Sequence, residues 1–148
     1  MLEILLAEDN PADVYLIREA LREHHVDCHV QVATDGQQVL RVLSDTDSQA
    51  QAARPALIIL DLNLPRHDGI EILQHLRRTT ALPRVPIVVL TSSDSPRDRQ
   101  AVKQLGVTRF LLKPSNLEQF LGLGAVFKEL LEQAAADTAS QIQEQANS

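Results

Sequence analysis

The chain has no tryptophan and only four aromatic residues, three phenylalanines and one tyrosine. Aromatic cages and base-stacking platforms need several exposed rings, so both are excluded. Cys28 stands alone, which rules out an internal disulfide framework and fits a reducing cytosol. No apolar run approaches the roughly 20 residues of a membrane span. Met1-Leu2-Glu3-Ile4 lacks the basic start and long apolar stretch of a signal peptide. A cytoplasmic protein without membrane contact is expected. Basic residues are scarce, 14 against 20 acidic, for a net charge of −6. That argues against binding nucleic acid or an anionic membrane through bulk charge.

What remains has globular composition. Of 148 residues 44% are apolar and 23% charged, within the range of one ordinary domain. Short apolar runs alternate with amphipathic stretches. Glu3–Ala7, His29–Ala33, Ala56–Leu60, Ile87–Leu90 and Arg109–Leu112 read as strands. The run at Ala56–Leu60 is continuous and β-branched, as in a central strand buried on both faces. Helices are expected over Pro11–Glu23, around Val39–Leu43, over Asp68–Arg78, from Pro96 to Leu105, and from an Asn116 cap to about Gln133. Ser44–Pro55 is polar and unpatterned and reads as a loop, alone or with extra helix inside it, with Pro83 and Pro86 as punctuation. Residues 134–148 are small and polar and either extend the last helix or fray. Five strand–helix pairs imply an α/β fold, a doubly wound parallel sheet with helices on both faces. One domain is expected over residues 1–133, followed by a polar tail.

The polar residues fall at the strand ends. The first strand ends at Glu8-Asp9, the third at Asp61 with Asn63 just beyond, the fourth at Thr91-Ser92, the fifth at Lys113-Pro114. In an open parallel sheet, ligands bind outside the carboxyl ends of the strands. Three carboxylates meet there, and a pair at 4 Å repels by about 4 kcal/mol at an effective dielectric of 20. They need a cation or a raised pKa. Carboxylates, a carbonyl and waters suit Mg²⁺; no Cys/His set lies nearby for zinc. The three acids, Mg²⁺ and Lys113 sum to zero charge, so the site can accept a phosphoryl group on one acid acting as nucleophile. The chain has only three lysines against eleven arginines, and one of them sits at this edge.

These positions resemble, in order and spacing, the signature of response-regulator receiver domains: Glu8-Asp9, Asp61-Leu62-Asn63-Leu64-Pro65, Thr91 and Lys113-Pro114. The likeness covers Leu2–Gln133. The runs at residues 8–14 and 61–65 are similar to those of single-domain regulators paired with bacterial phytochrome-type histidine kinases. The resemblance implies a flavodoxin-like, five-stranded sheet in the order 2-1-3-4-5 with five helices. It implies Asp61 as phosphoacceptor, and a Mg²⁺ site from Asp9, Glu8 through water, Asp61 and the Asn63 backbone carbonyl. Lys113 would pair with the phosphoryl group, across a cis Lys113–Pro114 peptide. Thr91 would donate its hydroxyl, Ser92 would leave access, and Phe110 would occupy the aromatic switch position. The partners implied are a histidine kinase, a further downstream protein, and a second copy across the fourth-helix, fifth-strand, fifth-helix face.

Three features stand beside that reading. His24-His25-Val26-Asp27-Cys28-His29 looks like a metal cluster, but adjacent strand residues point to opposite faces, so it reads as a helix end and strand edge. Pro11 and Asp13 are read as helix-start residues only. In the fifth helix, Leu123, Val126 and Leu130 widen the stripe formed by Leu117, Phe120, Leu121, Phe127 and Leu131. The extra residues face either a partner or a broader core. Gly122 and Gly124 point to a close approach or an irregularity. Two other functions share the chemistry. A Mg²⁺-dependent phosphatase needs a further acid near the nucleophile, and Asn63 cannot serve. A flavin module needs a phosphate-binding loop, and Glu8-Asp9-Asn10-Pro11 is acidic and lacks glycine.

Overall fold

In the computed structural model, residues 1–48, 55–66, 68–78 and 85–147 are described, with the backbone alone over 44–48 and 138–147. Five strands, β1 (Leu2–Ala7), β2 (Cys28–Ala33), β3 (Leu57–Leu60), β4 (Ile87–Thr91) and β5 (Arg109–Leu112), alternate with five helices. These are α1 (Pro11–Glu23), α2 (Gly36–Ser48), α3 (Gly69–Arg78), α4 (Pro96–Gln104) and α5 (Leu117–Asn147). All neighbouring strands are parallel, in the order β2-β1-β3-β4-β5. The flavodoxin-like order implied by the resemblance is the order found.

Alternate residues of the central strands supply two cores. Leu5, Ile58, Leu60, Ile87 and Val89 face α2, α3 and α4, where Val39, Leu73 and Val102 meet them. Ile4, Leu6, Leu57, Ile59 and Leu90 face α1 and α5, where Ile17, Leu21, Phe120 and Phe127 meet them. Burial on both faces explains why these strands read as continuous apolar runs. Capping sets the helix starts. Asn10 Oδ1 accepts from the Ala12 and Asp13 N–H groups at 2.9 and 3.4 Å, with Pro11 as first helical residue. Ser95 Oγ caps α4 and Asn116 Oδ1 caps α5 in the same way. Gly106, at φ +67°, turns the chain after α4.

Two helix ends left open by the sequence are placed. Helix α2 continues to Ser48, so the stretch read as a loop from Ser44 begins as helix; its residues 49–54, like Pro83, lie outside the described residues. No proline or glycine interrupts the chain between Gly36 and Ser48, and polar residues alone do not end a helix. Helix α5 runs past Gln133 to Asn147, carried by the alanines at 134–136. Its wide apolar stripe is settled for the core: Leu123 and Leu130 are buried, while Leu117 is 61% exposed. Among the described residues no helix is long and apolar enough to cross a membrane.

Candidate functional site

The sheet register brings the predicted residues into one row. Ala7 pairs with Leu60, and the ladder continues one step beyond the strands. The Asp61 N–H donates to the Ala7 carbonyl at 3.0 Å, the Glu8 N–H to Ala33, and the Lys113 N–H to Thr91 at 2.8 Å. Glu8, Asp61, Thr91 and Lys113 are thereby fixed at the carboxyl edge by backbone hydrogen bonds. Glu8 is 2% exposed, Asp61 5% and Thr91 fully buried, whereas Asp9 and Asn63 are exposed.

Lys113 is the hub. Its Nζ donates to Glu8 Oε1 at 2.7 Å, to Asp61 Oδ2 at 2.8 Å and to Asp13 Oδ2 at 2.8 Å. Three protons meet three carboxylates, so the ammonium is saturated. Asp61 Oδ1 also accepts from the Asn63 N–H at 3.1 Å. Thr91 Oγ accepts from the Ser93 N–H at 3.2 Å and from Asn63 Nδ2 at 3.4 Å, which leaves its own proton free to be donated.

The electrostatics follow. Burial, then contact with Asp61, pushes the Glu8 carboxyl up to about 9 against the pull of Lys113. Burial also pushes Asp61 upward, but its contact with Glu8 and the hydrogen bonds from Lys113 and the Asn63 N–H outweigh it and hold its carboxyl below the usual range. Burial works to lower Lys113, yet its bonds to Asp13, Asp61 and Glu8 raise it well above the ordinary lysine value. At neutral pH the site therefore carries an ionised Asp61 against a charged Lys113, with a proton on Glu8.

A cation fits beside this pair. Glu8, Asp9 and Asp61 each offer an oxygen within 4.8 Å of the others. Glu8 Oε2 is buried with no hydrogen-bond partner, an atom with ligand capacity to spare. The donor set is all oxygen, as a hard ion such as Mg²⁺ requires. Among the described residues this is the one group of three that could hold a metal. The His24–His29 segment forms none: His29 Nδ1 pairs with Glu3 Oε2 at 2.8 Å, and burial pushes the half-buried Cys28 thiol up.

Two residues depart from expectation. Among the described residues no peptide bond is cis, so Lys113–Pro114 is trans. Trans is the default even before proline, by about 0.5–1 kcal/mol, and Lys113 reaches all three carboxylates from it. Asp13, read only as a helix-start acid, is part of the site. Its signal lay in the topology: the first turn of α1 rises from the same edge as Glu8 and Asp9, so an acid there shares their surroundings. Phe110 lies apart from the carboxylates, half-buried against the α2–α4 core, with the Arg99 guanidinium 4.9 Å from its ring centroid.

Comparison with known proteins gives the arrangement a context. A family model described as response regulator receiver domain matches residues 4–123. Response regulator Rcp1 of Synechocystis sp. is 38% identical over 115 residues, 78% of this chain and 78% of that one. The crystal structure of the Mn(2+)-bound form of response regulator Rcp1 is 35% identical with a TM-score of 0.74, covering 84% of this chain and 89% of its own. The crystal structure of the phosphorylated cyanobacterial phytochrome response regulator RcpA is also 35% identical with a TM-score of 0.74, over 87% and 92%.

Proposed function

Since the chain belongs to the response regulator receiver domain family, we propose that it is a cytoplasmic response regulator that takes a phosphoryl group on Asp61. Membership assigns it to two-component signalling. The donor in this reading is a histidine kinase, of the phytochrome type in view of the likeness to the phytochrome response regulator RcpA. The observation that carries the reading is the meeting of an ionised Asp61, a saturated Lys113 and a proton-bearing Thr91 hydroxyl beside a three-acid cluster.

An Asp61 carboxylate oxygen attacks phosphorus; the new P–O bond forms as the P–N bond to the kinase histidine breaks, and that imidazole leaves with the electron pair. Lys113 offsets charge on the transferred oxygens, and the Thr91 proton is available to one of them. Glu8, Asp9, Asp61 and the Asn63 carbonyl would hold Mg²⁺, which when bound supplies further neutralisation of those oxygens. Thr91 moves toward the phosphoryl group, and Phe110 on β5 follows, changing the α4–β5–α5 face. That face offers Leu112, 38% exposed, and Leu117 beside the unpaired edge of β5. A second copy of the chain docks there, and a downstream protein reads the change.

The test is intact mass after incubation with Mg²⁺ and a small phosphodonor or histidine kinase. Wild type should gain one phosphoryl group; Asp61→Asn, and wild type without Mg²⁺, should gain none. A wild-type chain that gains nothing from either donor, or an Asp61→Asn chain that still does, would overturn the reading.

A further inference from the structure

We propose that Asp13 is a positioning residue that holds the Lys113 ammonium at Asp61; the inference rests on the phosphoacceptor reading above. Lys113 Nζ has three acceptors, at 2.7, 2.8 and 2.8 Å. Two of them, Glu8 and Asp61, belong to the trio able to hold a cation, and Asp61 is also the nucleophile. Both are committed elsewhere once metal and phosphoryl group are in place. Asp13 lies outside that trio and is the one acceptor free to keep its bond to Lys113 throughout.

Asp13 is built to do this. A helix-start acid that serves only the dipole points to solvent, whereas the Asp13 side chain is 18% exposed and bonded to a residue 100 positions away. Its backbone is fixed by the Asn10 cap. Helix α1 is in turn seated on α5, where a Cβ on Gly124 would lie 2.2 Å from the Ala20 carbonyl oxygen. A lysine stem carries much rotamer freedom. Without Asp13 the ammonium collapses onto Glu8 and Asp61, where it competes with the metal and shields the nucleophile. With Asp13 in place it is drawn aside and aimed.

The experiment compares wild type, Asp13→Asn, Asp13→Ala, Lys113→Ala and Asp13→Ala/Lys113→Ala. One arm follows phosphoryl gain on Asp61 with time, by intact mass, with Mg²⁺ and a small phosphodonor. The other records the Lys113 Nζ–H signal in nitrogen-edited spectra of the unphosphorylated chain. Asp13→Ala should slow phosphorylation about tenfold, the worth of one hydrogen bond to a charged group. Asp13→Asn, which keeps an acceptor oxygen, should recover part of that rate. In the Lys113→Ala background Asp13→Ala should add nothing. The Nζ–H signal, slow to exchange in wild type, should broaden or vanish in Asp13→Ala. A wild-type rate in Asp13→Ala, an equal loss in the Lys113→Ala background, or an unchanged Nζ–H signal would overturn the tether. A wild-type chain that gains no phosphoryl group sinks the phosphoacceptor reading instead, and the spectral arm still shows whether Asp13 holds the lysine.

Discussion

The site lies between two flanks that are attached very differently. On one side α5 buries Phe120, Leu123, Phe127, Leu130 and Leu131, and α1 adds Ile17, Ala20 and Leu21. The two helices meet so closely at Gly124 and Ala20 that a single methyl would not fit. On the other side α4 buries only Val102. Its polar contacts gather at its N-terminal end: Ser95 caps it, Ser93 Oγ donates to Asp98 at 3.1 Å, and Arg99 pairs with Asp94 and lies over Phe110. Apolar burial supplies roughly 25 cal/mol per Å², whereas exposed polar pairs contribute about 1 kcal/mol or less. The fixed flank presents Glu8, Asp9 and Asp13 to the site. The loose one begins just after Thr91. A change at Asp61 and Thr91 therefore moves α4 at much lower cost than α1.

Acidity should act on the fixed flank with the largest effect. Glu8 joins β1 to α1, and its buried carboxyl keeps a proton up to about 9 against an ordinary value of 4.5. Between those values the folded chain binds a proton that the unfolded chain has lost, so stability falls as pH rises through the window. Asp61, lowered, has its contribution fully present above its ordinary value of 3.8, and Lys113, raised from 10.5, keeps its own until more alkaline pH. Neither offsets Glu8 in that range. The Tm of metal-free protein should drop from pH 5 to pH 9, and Mg²⁺ should restore more of it the higher the pH. Protection of the α1 amides, corrected for the intrinsic rise of exchange with pH, should fall, and that of the α4 amides should not change. A flat or rising Tm in metal-free protein would remove the protonated Glu8.

Two glycines one turn-half apart test the seating of α5 directly. At Gly124 an added Cβ collides with the Ala20 carbonyl and with His24, while at Gly122 nothing lies within 4 Å. Gly124→Ala should lose about 1–3 kcal/mol by overpacking. Gly122→Ala should gain about 0.5–1 kcal/mol through lower unfolded-state entropy and better helix propensity. Urea denaturation measures both. Equal signs would mean that α5 is not pinned to α1 where the structure places the contact.

How far the chain could be read in advance follows the same division. Continuous apolar runs such as Ala56–Leu60 announce central strands, because burial on both faces leaves no other pattern. The polar residues at four strand ends announce the site, since an open parallel sheet must bring those ends to one edge. The strand order came with the family resemblance, not with periodicity. Asp13 stayed hidden because a first-turn acid already has a sufficient local explanation in the helix dipole. Its bond to Lys113 spans 100 residues and exists only once the sheet is assembled. The same holds for Gly124: two glycines in one helix look alike until a second helix is laid against one of them. The width of the α5 stripe left core and partner both open for a related reason, as a helix touching both α1 and the sheet buries more than one narrow face.

The smallest effect expected is at Arg99, and it probes the loose flank. Its guanidinium sits 4.9 Å from the Phe110 centroid while its side chain is 52% exposed. A cation over a ring at such a site contributes about 0.5–1 kcal/mol, so Arg99→Ala should lower stability by no more than that. The consequence for Phe110 should be larger than the consequence for folding. Without the cation above it, the ring is held only by the half-buried contacts of the α2–α4 core, and its proton resonances should shift and sharpen toward averaged values. Arg99→Lys keeps the charge and loses the flat stacking surface, and should fall between the two. If Arg99→Ala instead destabilises the chain as much as Gly124→Ala, then α4 is fastened as firmly as α5, and the asymmetry that lets one flank move against the other is gone.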